Sequence, residues 1–129
     1  MEIVTHNATS LAWMGDAIMT LVIREHLLSL GYSKANVLQK KSAKINSAKG
    51  QSYILEQLEK ENFFNEEEKE ILRRGRNASI HSKAKKADGN TNLRATALES
   101  LIGYLYLYAH EQRLRQLIGR IVELGDTLK

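Results

Sequence analysis

Cysteine and proline are both absent from the 129-residue chain. Without thiols it is neither a disulfide scaffold, nor a cysteine-based zinc site, nor a thiol enzyme, and a reducing, cytoplasmic setting fits best. Without proline it is no Pro-rich linker protein. No Lys/Arg-led N-terminus precedes an uninterrupted apolar block, and no uncharged run approaches the roughly 20 apolar residues a membrane span needs, so no membrane is expected as a partner. With 43% hydrophobic and 26% charged positions, residues 1–129 are expected to fold as a single domain with a modest core.

The formal net charge of +4 conceals an uneven distribution. Residues 31–55 hold five lysines (Lys34, Lys40, Lys41, Lys44 and Lys49) and no acid. Residues 56–70 hold seven glutamates against Lys60 and Lys69, and their EEEKE run reads as a solvated helix start. Residues 71–94 return to a net +6, with Arg73, Arg74, Arg76, Lys83, Lys85, Lys86 and Arg94 against Asp88 alone. Two basic blocks flanking an acidic one suit a polyanion such as nucleic acid if the fold brings them to one face, because phosphate contacts release counterions. The alternative is a set of ordinary solubilising helix faces.

Few alternating β-branched runs and long stretches of 3.6-residue periodicity predict an all-α domain. Asn7 or Thr9 caps a first helix that runs to a stop at Gly31 and is apolar nearly all round, hence central. Ser33 starts a second helix, and a third carries Tyr53, Ile54, Leu55 and Leu58, with a boundary near Lys49-Gly50. Asn65 and Glu68 form a capping box for a fourth helix ending near Arg74-Gly75. Residues 76–92 lack an apolar period and read as a long polar loop, a length that compact domains usually reserve for function or disorder. A strongly apolar helix over LRATALESLIGYLYLY and an amphipathic one over 111–124 complete the chain.

Two carboxylates stand in apolar helices. Asp16 has Ala12, Trp13, Met19 and Thr20 three and four positions away; Glu99 has Ala95, Thr96, Ile102 and Gly103. Acids are almost never buried unpaired. The small residues Ala12, Gly15, Ala95 and Gly103 would let the two helices approach closely, so both carboxylates are expected at one cleft. A hard divalent cation such as Mg²⁺ is the natural compensator. The alternatives are acids held by Arg, Tyr or Thr, or a helix face more exposed than the pattern implies. His6, His26, His81 and His110 lack metal-ligand spacing; His81 stands apart because it sits in the basic polar stretch, within possible reach of phosphate or leaving group. No phosphate-cradling glycine loop and no GxSxG element is present.

LAWMGDA around Asp16 resembles the LEFLGDA-like signature helix of the ribonuclease III family, and ALESLIGYLYL around Glu99 resembles the family's downstream ADxxEALIGAxYL helix. Their order and separation agree. The RRGRNASIHSKAKKAD stretch between them, with the compact length, is similar to the subgroup called Mini-ribonuclease III, and the likeness covers nearly the whole chain.

The resemblance implies an all-α endonuclease domain that works as a homodimer, cleaves double-stranded RNA with Mg²⁺ (Mn²⁺ substituting), and leaves 5′-phosphate and 3′-hydroxyl ends. Asp16 and Glu99 fall on the signature aspartate and the downstream catalytic glutamate, as catalytic residues and metal ligands. The larger enzymes have acids where this chain has Ala12 and Thr96, which points to fewer protein ligands, with water and RNA oxygens filling the remainder. The family's usual C-terminal double-stranded-RNA-binding domain is not expected, since the last helix ends near Lys129, so this domain itself is expected to bind RNA. That role goes to Lys40, Lys41, Lys44, Lys49, Arg73, Arg74, Lys86 and Arg94, with Arg76, Asn77, His81, Lys83 and Lys85 nearer the site. Trp13 and Met14 are expected at the dimer interface, the alternative for Trp13 being ordinary core. The subgroup implies 23S ribosomal RNA precursor as substrate, with a ribosomal protein as a further partner. Two competing readings stay open: a non-catalytic, ribosome-associated RNA-binding dimer of the same fold, motivated by the two missing acids, and, more weakly, a helix-turn-helix DNA binder.

Overall fold

The computed structural model describes residues 2–78 and 89–128, and these form six helices: α1 Ala8–Ser29, α2 Ala35–Asn46, α3 Ala48–Lys60, α4 Glu66–Ala78, α5 Gly89–Leu107 and α6 Glu111–Gly125. Among the described residues there is no strand. Asn7 caps α1 by accepting a hydrogen bond from the Ser10 N–H, and Gly31, at φ +96°, turns the chain away at the other end. The predicted capping box closes α4: the Asn65 N–H donates to Glu68 Oε1 at 3.1 Å and the Glu68 N–H to Asn65 Oδ1 at 2.8 Å.

The helix at the centre is α5, not α1. Ala95, Ala97, Leu98 and every residue from Ser100 to Leu105 are buried, whereas α1 leaves Trp13, Leu21 and Leu28 in solvent. Leu98, Leu101 and Leu105 meet Leu11, Met19 and Ile23 of α1, Ile54, Leu55 and Leu58 of α3, Leu72 of α4 and Leu117 and Ile121 of α6 in one core. Each such fully buried side chain contributes roughly 1.5–3 kcal/mol. The most extensive packing in the molecule is α1 on α5.

That packing is backbone against backbone. A Cβ at Gly15 would lie 1.8 Å from the Glu99 carbonyl oxygen, and one at Gly103 would lie 2.0 Å from the Leu11 carbonyl oxygen. Gly50 and Gly75 do the same work elsewhere: a Cβ would come within 2.3 Å of the Lys44 carbonyl oxygen and 2.6 Å of the Ala97 Cα. The sequence pattern treats both as helix boundaries, and the structure corrects it. Ser47, not Lys49-Gly50, divides α2 from α3 by capping the Gly50 N–H, and α4 continues past Gly75 to Ala78. Helix α5 likewise starts at Gly89, so the predicted loop over 76–92 is helical at both ends, and its residues 79–88 lie outside the described ones.

The EEEKE run is only partly solvated. Glu66, Glu67 and Glu70 are exposed, but Glu68 is buried and receives Arg113 Nε at 2.8 Å and Nη2 at 2.7 Å, while Nη2 also donates to the Phe63 carbonyl. This charge-assisted fork ties α4 to α6 and holds the Arg113 guanidinium above its ordinary pKa.

Candidate active site

At the α1/α5 crossing the missing Cβ of Gly15 brings the next residue, Asp16, against Glu99. The two carboxyl groups are in hydrogen-bonding contact, and Glu99 is pushed from 4.5 to about 7, first by burial and then by the charge and hydrogen bond of Asp16. The structure separates their settings: Glu99 is half-buried, whereas Asp16 is exposed, so the apolar stretch around Asp16 marks a surface edge of the cleft and not its interior. Among the described residues no third acid or histidine joins them. Ala12 is buried one turn before Asp16, and Thr96 is half-buried one turn before Glu99.

A polar chain absent from the sequence reading supports this pair. Gln51 of α3, only 2% exposed, donates from Nε2 to Glu99 Oε2 at 3.1 Å, opposing the upward shift of that carboxyl. The same Nε2 donates to Asn46 Oδ1 at 3.2 Å and to the Asn46 carbonyl at 3.1 Å. Asn46 in turn donates from Nδ2 to Thr20 Oγ1 at 3.1 Å. Four helices therefore meet at the carboxylates: Asp16 and Thr20 from α1, Asn46 from α2, Gln51 from α3 and Glu99 from α5. Thr20 and Asn46 also line a groove of about 410 Å³ that continues past Gln39, Ser42 and Ala43 to Arg24. Arg24, likewise missed, is an exposed cation on the groove wall.

The basic residues divide among several surfaces. Lys40, Lys41 and Lys44 project from the face of α2 opposite Gln39, Ser42, Ala43 and Asn46. They line a separate cavity of about 570 Å³ with Leu27, Leu30, Tyr32 and the end of α6, and Lys41 Nζ sits 4.6 Å from the Tyr32 ring centre. The structure therefore does not bring these three to the carboxylates. Lys49 is exposed in the first turn of α3. Arg73 and Arg74 both bind Glu70, at 2.7 and 3.4 Å, with Arg73 as its main partner holding the Glu70 carboxyl down to about 2, and Arg76 pairs with Glu59. Three of the seven cations of the second block are thus paired with two glutamates of the intervening acidic stretch. Arg94 donates from Nε to Ser52 Oγ at 2.6 Å, half-buried between α5 and α3. Asn77 is exposed near the end of α4, while His81, Lys83, Lys85 and Lys86 lie outside the described residues.

Trp13 is 79% exposed, which settles the choice between core and surface in favour of surface; Met14 instead packs half-buried against the core. Trp13, Ala17, Leu21 and Leu28, with the exposed Arg24 between the last two, lie along a single stripe of α1 in solvent.

The ribonuclease III domain model matches residues 9–110, which span both carboxylates and the supporting amide. A Mini-ribonuclease 3 of Staphylococcus aureus is 42% identical over 118 residues, 92% of this chain and 88% of that one. A second, from Enterococcus faecalis, is 41% identical over 122 residues, 94% and 92% of the two chains. A crystal structure of a protein from Fusobacterium nucleatum superposes with a TM-score of 0.81 at 32% identity, covering 92% of this chain and 93% of that one. With its sequence and its helical architecture in agreement, the chain belongs to the ribonuclease III family of endoribonucleases.

Proposed function

We propose that this chain cuts double-stranded RNA, the substrate class of its family, by phosphodiester hydrolysis with Asp16 and Glu99 as ligands of a divalent cation. The observation that carries this reading is the contact between the two carboxyl groups, which adds to the burial that raises Glu99 to about 7. An all-oxygen pair in mutual repulsion fits Mg²⁺, with Mn²⁺ as substitute, better than a softer metal. When bound, the cation supplies Lewis acidity to the scissile phosphate and to the attacking water. Asp16, exposed at the cleft edge, and Glu99, fixed from behind by Gln51, hold it as ligands and not as nucleophiles. The groove from Thr20 to Arg24, together with Lys49 and Arg94, offers a polar and cationic surface for phosphates and 2′-hydroxyls.

In this reading residues 1–129 act as one catalytic domain in the cytoplasm, the domain's own surface grips the RNA, and the substrate is 23S ribosomal RNA precursor, with a ribosomal protein able to shape it. The decisive measurement is cleavage of an end-labelled RNA hairpin with Mg²⁺ or with EDTA, beside Asp16→Asn. Metal-dependent cutting that disappears in the variant is expected. Binding of structured RNA without cutting would replace the nuclease by an RNA-binding protein of the same fold.

The α1 stripe supports a homodimer. Trp13 at 79%, Leu21 at 57% and Leu28 at 59% exposure form an apolar strip on a helix that also carries Asp16. Sedimentation equilibrium is expected to give twice the chain mass of 14.6 kDa, and Trp13→Glu to return it to one copy. A wild-type chain that sediments at 14.6 kDa at all concentrations would remove the dimer.

A further inference from the structure

We infer that Gln51 is a positioning residue: its amide fixes one oxygen of the Glu99 carboxylate so that this side chain meets the cation in a single orientation. The inference rests on the metal-ligand reading of Glu99 and deepens it.

Gln51 is badly placed for a purely structural role. Its side chain is 2% exposed, and its Oε1 is buried with no hydrogen-bond partner among the described residues. A buried acceptor without a donor is destabilising, and the polar part of this side chain adds nothing to the apolar packing of α3 that Ile54, Leu55 and Leu58 supply. What the amide does achieve is concentrated at Nε2. That nitrogen meets Glu99 Oε2 at 3.1 Å and, on its other side, two oxygens of Asn46, which fix the plane and direction of the amide. Asn46 is anchored to Thr20, one turn beyond Asp16 on α1.

The result is a closed path. Asp16 and Thr20 share a helix, Thr20 holds Asn46, Asn46 holds Gln51, and Gln51 holds the carboxylate that touches Asp16. A terminal carboxylate torsion is broad and nearly twofold, so a carboxylate gripped only by packing would sample several orientations. A charge-assisted hydrogen bond to one of its oxygens removes that freedom and leaves the remaining lone pairs for the ligand. Partners of this kind commonly set metal affinity as strongly as the ligands' own placement does. No motif in the sequence marks Gln51, which lies 48 positions from Glu99.

The test measures Mn²⁺ binding to the purified full chain without RNA, following free Mn²⁺ by its paramagnetic resonance signal. Wild type, Gln51→Met, Thr20→Val and Glu99→Gln are compared. Gln51→Met is expected to weaken Mn²⁺ binding about tenfold, and Thr20→Val, acting one link further away, about two- to threefold. The unfolding temperature of Gln51→Met in EDTA is expected to equal or exceed that of wild type. In cleavage assays the Mg²⁺ concentration for half-maximal rate should rise by the same factor, KM for RNA should hold, and saturating Mg²⁺ should restore most of kcat. A Gln51→Met affinity within about twofold of wild type, while Glu99→Gln abolishes binding, overturns the positioning role. Undiminished binding in Glu99→Gln overturns the metal-ligand reading and this inference with it. If Gln51→Met does not fold, Thr20→Val decides, and an unchanged Mn²⁺ affinity there counts against the inference.

Discussion

Gly15→Ala is expected to destabilise the fold by about 4 kcal/mol, above the usual range for added methyls because the obstruction is backbone and not a side chain that can turn aside. The new Cβ would start 1.8 Å from the Glu99 carbonyl oxygen and 2.6 Å from its carbon. Helices α1 and α5 have to part by more than an ångström to accept it, and Gly103, whose own Cβ position is filled by the Leu11 carbonyl, lies along the same crossing. Parting them loosens the contacts of Leu11 and Met19 with Leu98 and Leu101, which form the middle of the core. Against a total stability of about 5–15 kcal/mol, much of the margin goes in one substitution. Urea unfolding at neutral pH measures it. A free energy within about 1 kcal/mol of wild type would show that the crossing is more compliant than its geometry implies. The variant also separates Asp16 from Glu99, so its folded fraction should cleave poorly, unlike a variant destabilised at a remote place in the core.

The same crossing explains what could be read from the sequence. Small residues flanking two acids in apolar helices announce a close approach, and Gly15 and Gly103 provide it. Capping is local chemistry, and Asn7 and the Asn65/Glu68 box are therefore legible residue by residue. Glycine is ambiguous in one dimension: Gly50 and Gly75 look like helix ends but are sites where another backbone comes near, a fact that lies with Lys44 and Ala97 and not with the glycines' neighbours. Charge counting along the chain does not give the direction in which each cation points, for a related reason. Lys40, Lys41 and Lys44 form one block in the chain but occupy a face of α2 away from the carboxylates, and Arg73 and Arg74 share Glu70 while Arg76 pairs with Glu59. Gln51, Asn46 and Thr20 were invisible because each is an ordinary polar residue on a different helix, and only the packing of α1, α2, α3 and α5 places them together.

Glu99→Gln is expected to reduce cleavage by at least about a thousandfold, on the order of the loss when a single group that stabilises transition-state charge is removed. It should also make the metal-free protein more stable at alkaline pH. The Glu99 carboxyl stands at about 7 in the fold against 4.5 ordinarily, from burial first and the Asp16 charge second. A carboxyl raised on folding binds its proton more tightly in the folded chain. Its contribution to stability is therefore complete below pH 4.5 and is lost as pH rises through 7. Glutamine carries no such dependence. In EDTA the two proteins should unfold alike near pH 4, and by pH 8 the variant should lead by about 2 kcal/mol, a figure reduced from the full shift because the pair borders solvent at Asp16. Chemical denaturation from pH 4 to 9 with EDTA, then with Mg²⁺, separates the effects, because the cation should return stability to wild type and little to the variant. Parallel pH profiles in EDTA would show that this carboxyl is not strained by burial and its partner, and cleavage by Glu99→Gln at the wild-type rate would show that it is not needed for the chemistry. The expected pattern makes the acid pair a place where the fold gives up stability at the pH at which both carboxylates must be charged, and a divalent cation is what restores it.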